Sequence, residues 1–145
     1  IVLAAAGLKR LGLGDRIRSH FETTEMLPCA GQGALGVEVR ADNAALLAQL
    51  ATLTHRPTWL AVQAERAVSR AMGGSCSMPL AVHAIWRGER LWLRAALGHP
   101  TKPLSSLLRA EVEEAVADEA QARALGERAA QALKRQGAAG YLADA

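Results

Sequence analysis

Cys76, within the stretch AMGGSCSMPL at 71–80, is the residue of this chain best placed for covalent chemistry. It follows two glycines and a serine and precedes a proline-led apolar run, so a helical pattern breaks before it and a strand pattern starts after it. A thiol at such a joint is held by backbone on both sides and can still face outward. The end of a helix carries negative partial charge, which disfavours a thiolate. No histidine stands next to it in sequence, although His55 or His83 could approach in space. An unactivated thiol serves turnover poorly, yet it can trap a strongly electrophilic carbon. The chemistry that suits Cys76 is a one-time covalent attachment.

A second stretch, MLPCAGQGALGVEVR at 26–40, places Gln32 between Gly31 and Gly33. Backbone without Cβ atoms lets a ligand come close, and the Gln32 amide could reach it. A phosphate cradle is a weak match, because no GK[ST] follows and the third glycine of a dinucleotide fingerprint is missing. An ordinary tight turn explains the same glycines equally well. The basic residues are lopsided, 14 arginines against three lysines. A guanidinium fork suits bidentate binding of carboxylate or phosphate. Codon bias in a GC-rich genome accounts for the overall count, and less well for individual arginines beside a cleft.

These residues need elements to position them. IVLAAAGLKRLG, at the start, reads as a buried parallel strand running into a helix, and such a strand needs neighbours on both sides. It implies that the chain is the C-terminal part of a longer protein. Leu35, Val37 and Val39 alternate with Gly36, Glu38 and Arg40, a glycine-rich loop feeding a strand. Asp42 or Asn43 can cap a helix with Leu46, Leu47, Leu50 and Leu53 on one face. Pro57 suits the first turn of the next helix, whose apolar stripe runs through Leu60, Ala64, Ala67, Val68, Ala71 and Met72 and stops at Gly73 and Gly74. PLAVHAIWR and ERLWLRAALG form a hairpin about Gly88, and LSSLLRAEVEE adds a third strand. Asp118 caps a last amphipathic helix through Ala122, Leu125, Ala129, Ala132 and Leu133, ended by Gly137. The predicted fold class is α+β, a small three-stranded antiparallel sheet with helices on one face.

Composition narrows the function classes. The 145 residues suffice for a domain with a core, and alanine dominates the apolar half while aromatics make up 3%. A net charge of +3 with no lysine-rich block argues against nucleic acid as a partner. Cys29 and Cys76 make no disulfide framework and match no zinc spacing, and the four histidines are scattered. No signal peptide or bilayer-length apolar run is present, so the expectation is a soluble, cytoplasmic chain with free thiols and no membrane partner.

Three motifs, LAAAGLKRLGL, LPCAGQGALGVEVR and ERAVSRAMGGSCSMPLAVHA, together resemble the C-terminal part of the porphobilinogen deaminase (hydroxymethylbilane synthase) family. The resemblance covers essentially the whole chain, densest from Ile1 to Ala84 and loosest between Gly98 and Asp118. It implies a transferase that joins four porphobilinogen units into linear hydroxymethylbilane, releasing ammonia at each step, for haem and other tetrapyrroles. It also implies a dipyrromethane cofactor held by a thioether to Cys76. Loss of ammonia from such a substrate leaves the electrophilic carbon that a plain thiol captures. Arg10 matches a carboxylate-binding arginine, and Gln32 and Gly33 match the loop that lines the cleft. Ser75 departs from the Gly-Gly-Cys of many members without changing the attached atom.

By the same resemblance, residues 1–25 end a second α/β domain. Residues 26–55 cross over to give a first α/β domain its last strand and helix, and 56–145 form the cofactor-attachment domain. The strands and helices of residues 1–55 are thus remnants of two α/β periplasmic-binding-protein-like domains. The acid–base aspartate of the family belongs to the part not present, so no catalytic residue is assigned here and the 145-residue chain by itself should be inactive. The expected partners are porphobilinogen, the growing polypyrrole and the N-terminal domains of the same protein, in a full-length monomer. Two other readings compete. A free-standing α+β module binding a small acidic ligand accounts for fold and charge but not for Cys76; a thiol enzyme pairing Cys76 with a histidine would require a depressed thiol pKa.

Overall fold

Pro57 stands in the first turn of the helix that organises the molecule, where its missing N–H costs nothing. In a computed structural model, which describes residues 1–74, 78–102 and 104–142, this helix spans Arg56–Ala71. It follows a short helix α1 (Ala5–Arg10), a 3-10 turn (Gly14–Arg16) and helix α2 (Ala44–Ala51), and is labelled α3. Strands β1 (Leu80–Arg87), β2 (Arg90–Leu97) and β3 (Leu108–Ala115) come next, then α4 (Glu119–Arg135) and α5 (Ala138–Leu142).

The three strands form one antiparallel sheet in the order β1-β2-β3. Arg87 pairs with Arg90 across a two-residue turn whose first position, Gly88, has φ +59°, the geometry that lets a tight hairpin follow the strand twist. Alternation then sorts the side chains. Val82, Ala84, Leu91, Leu93, Ala95, Leu97 and Ala110 face the helices and are buried. His83, Ile85, Trp92, Arg94, Glu111 and Glu113 stand on the opposite face, with Trp92 between the guanidinium groups of Arg87 and Arg94.

Helices α3 and α4 both pack on the inner face and on each other. Of the predicted stripes, Leu60, Ala64, Ala67 and Val68 in α3, Met72 at its C-cap, and Ala122, Leu125, Ala129 and Leu133 in α4 are buried, while Ala71 and Ala132 are half-buried. Their crossing is unusually close. A Cβ on Gly126 would lie 2.2 Å from the Ala64 carbonyl oxygen and 2.7 Å from the Ala67 Cβ, so only glycine fits there. Trp59 and Arg56 tie the N-terminus of α3 to Glu119 and the Ala117 carbonyl at the start of α4. Asp118 caps α4 by accepting the Gln121 N–H, as the sequence indicates.

Three expectations need correction. The opening IVLA and the alternating 35–40 segment form no strand: Ile1, Leu35 and Val37 are exposed, and neither segment has a neighbouring strand to pair with. The third strand begins at Leu108 rather than at Leu104, which is fully exposed. Helix α4 is not the last, because the five-residue α5 follows it and buries Ala138. Of the two candidate caps for α2, Asn43 accepts the Leu46 N–H.

Candidate cofactor site

Residues 23–33 cross onto the C-terminal domain and are held there at three points. The Pro28 carbonyl accepts the Val82 N–H at 2.9 Å, which extends the edge of β1. Thr23 accepts a hydrogen bond from Arg94 on the outer sheet face. The third point is Glu65, a carboxylate only 5% exposed in the middle of α3. One of its oxygens accepts the Gly31 N–H at 2.7 Å, and the other accepts the Ala84 N–H at 2.8 Å. Its second oxygen also lies 3.5 Å from Nδ1 of His83. A buried carboxylate is costly unless donors satisfy it, and here two converging backbone amides do so.

Gln32 follows directly. Gly31 and Gly33 have φ of +74° and +79°, so the turn that presents Gln32 uses backbone that other residues rarely adopt. The Gln32 N–H donates to the Cys29 carbonyl, and its side-chain oxygen accepts the Cys29 thiol at 2.8 Å. With the oxygen engaged by the thiol, the amide NH2 is left as the group to meet a ligand. Gly31 and Gly33 border an open hollow of about 1140 Å³ between the 30–39 segment, α2 and α3. Arg66 and Arg70, one helical turn apart on α3, line the same hollow, as does Gly74. Neither arginine is ion-paired among the described residues.

Cys76 lies outside the described residues. Its described flanks are Gly74, at φ +58° just past the end of α3, and Met78, packed against the core. Arg10 is exposed on α1 and does not border the hollow; of the turn, Gly31 and Gly33 border it and Gln32 between them does not. His83 faces Glu65, and His55 bonds Thr58 at the start of α3.

Glu65, Arg66 and Arg70 escaped the sequence reading. Glu65 falls on the same arc as Ala61, Val68 and Met72, and a carboxylate on an apolar stripe was the available signal. The arginines give only an i, i+4 spacing just ahead of the GGSC stretch, which any solvated helix face shows. The donors that border the hollow suit an anionic ligand: two guanidinium groups without an ion pair among the described residues, and open glycine backbone, with the Gln32 amide on the turn beside them.

Comparison with known proteins follows that chemistry. Residues 1–48 match the family model described as "Porphobilinogen deaminase, dipyromethane cofactor binding domain", and residues 59–135 match "Porphobilinogen deaminase, C-terminal domain". The chain is 58% identical over 134 residues to porphobilinogen deaminase of Albidiferax ferrireducens, covering 92% of this chain and 42% of that protein. It is 52% identical over 138 residues to the Paraburkholderia phytofirmans protein of the same name, covering 95% and 40%. The Burkholderia thailandensis protein is 51% identical over 138 residues, covering 95% and 41%. The chain therefore spans about two fifths of the length of the curated relatives it matches.

Proposed function

Because this chain belongs to the porphobilinogen deaminase family, we propose that it is the C-terminal part of an enzyme that joins four porphobilinogen units into linear hydroxymethylbilane with release of ammonia, in tetrapyrrole biosynthesis. The observation that carries the proposal is the order and span of the two family matches on one chain. In this reading residues 1–25 and 26–55 belong to the two preceding α/β domains, and 56–145 form the cofactor-attachment domain. The gap between the family matches, residues 49–58, supports a boundary near 55.

Cys76 is the anchor of the cofactor, through its sulfur. The bound dipyrromethane supplies the pyrrole end to which each new unit is joined. The other roles belong to side chains of this chain. Arg66 and Arg70 offer their forks to pyrrole carboxylates, and two such cations one turn apart repel each other until an anion lies between them. Gln32 offers its NH2 group, and Gly33 lets the ligand approach the backbone. Arg10 meets a carboxylate once the rest of the protein brings α1 to the cleft. The N-terminal domains supply the acid–base group, so turnover requires the whole protein. Among the described residues no helix is long and apolar enough to cross a membrane, which is compatible with a cytoplasmic site of action.

The test is the intact mass of the complete protein with and without Cys76, alongside porphobilinogen consumption. The wild type should carry a two-pyrrole adduct and turn over. Cys76→Ser should fold, carry no adduct and be inactive, because a neutral hydroxyl is a far weaker nucleophile than a thiol. Cys29→Ser should keep its adduct, and the 145-residue chain should consume no porphobilinogen. An adduct that survives in Cys76→Ser would overturn the assignment.

A further inference from the structure

On the function proposed above, we infer that Glu65 is a positioning residue, whose buried carboxylate fixes the Gln32 turn relative to both flanks of the Cys76 loop. Three segments meet at this one side chain. Glu65 itself belongs to α3, the helix that leads into the loop. One oxygen holds Ala84, in the strand that leaves the loop, and the other holds Gly31, whose next residue is Gln32. Any shift of the turn against α3 or β1, the two elements that flank the loop, must stretch or break a charge-assisted hydrogen bond inside the protein.

The residue type matters. Two N–H donors from separate segments each take one oxygen, and a carboxylate is the side chain with an acceptor for each. Glutamine has the same shape but one acceptor, so its NH2 would be driven against either Gly31 N–H or Ala84 N–H. A hydrophobic residue would fill the space and leave both amides unsatisfied. For packing alone, an apolar residue with separately capped amides would avoid burying a charge at all. The geometry instead uses one carboxylate to couple the turn to the helix and the strand on either side of the loop. The coupling reaches the ligand through the Gln32 amide, whose oxygen is already committed to the Cys29 thiol.

The experiment is a double-mutant cycle in the complete protein, combining Glu65→Gln with Gln32→Ala and reading kcat and KM for porphobilinogen, the adduct mass and the thermal midpoint. Glu65→Gln should lower kcat/KM by about tenfold or more, the effect of losing a hydrogen bond to a charged group. Once Gln32 is alanine, the same substitution should cost much less, because Glu65 acts through that side chain. Full multiplication of the two effects would show a merely structural residue and overturn the inference, with the family activity intact. A wild type without turnover would overturn the proposed function and this inference with it. If Glu65→Gln does not fold, amide exchange in the wild type decides instead. Gly31 should exchange far more slowly than Gly33, whose N–H has no partner in the turn. Equal rates would overturn the inference.

Discussion

Leu35 and Leu93 are the same side chain, and the two regions that hold them treat them oppositely: Leu35 is 99% exposed and Leu93 is 0% exposed. Residues 1–53 are as rich in apolar side chains as residues 56–142, yet no residue before Leu60 is buried. The difference lies in partners rather than in hydrophobicity. The later region contains both layers of its own core, a sheet and the two helices that cover it. The earlier one contains single layers: a helix with no buried residue, a segment of alternating apolar residues, and α2 with an open leucine face. Burying apolar area stabilises only where a second surface exists to bury it against.

Amide exchange in the 145-residue chain gives the sharpest measure of this contrast. Amides in 1–25 and 34–40 should exchange on the order of a thousandfold or more faster than those of β2 and the middle of α4. Equal protection would mean that the first region has found a second layer, in a dimer or otherwise. Core truncation comes next. Leu93→Ala should cost about 2–5 kcal/mol by chemical denaturation, while Leu35→Ala should stay within about 0.5 kcal/mol.

Gly126→Ala probes the same core by excess rather than loss. Its new methyl must push α4 away from the Ala64 carbonyl, and we expect destabilisation of about 1–3 kcal/mol. An unchanged denaturation midpoint would mean that the helices can part without penalty. The smallest effect compares one cap chemistry in two settings. Asp118→Ala removes the cap of a packed helix and should cost about 1 kcal/mol of global stability. Asn43→Ala removes the same kind of bond from α2, and the global denaturation midpoint should not register it.

The region with both layers was also the region whose sequence could be read. Periodicity located β1, β2, α3 and α4, because in each the alternating or helical stripe meets a partner that the chain also encodes. The segment 35–40 carries the same strand alternation, but pattern states what a segment could bury and not whether a neighbour is there. Helix α5 is five residues long, too short for a stripe to show. For the candidate site, the glycine frame of Gln32 was legible as a local break in pattern, whereas the joint expected at Cys76 lies outside the described residues. Glu65 was not, since its role depends on donors 34 positions before and 19 after it. Gly126 likewise reads as a weak point within a helix until Ala64 is seen against it.

Trp59, Trp86 and Trp92 all lie in the later region, and the chain has no other tryptophan. The indole of Trp59 donates to Glu119 where α3 meets α4, and that of Trp86 donates to the Pro57 carbonyl where β1 meets α3. The third is stacked against two guanidinium groups on the outer sheet face. Intrinsic emission from this chain is therefore a reporter built into the joints of one region, which the other touches at two places: Trp59 borders the hollow beside the 30–39 segment, and Arg94 over Trp92 bonds Thr23. A denaturation curve followed at tryptophan wavelengths tracks the helix–sheet packing of 56–142. The opening 53 residues hold no tryptophan, so their rearrangement or docking on a partner reaches this signal only through Trp59 and the Arg94–Trp92 stack.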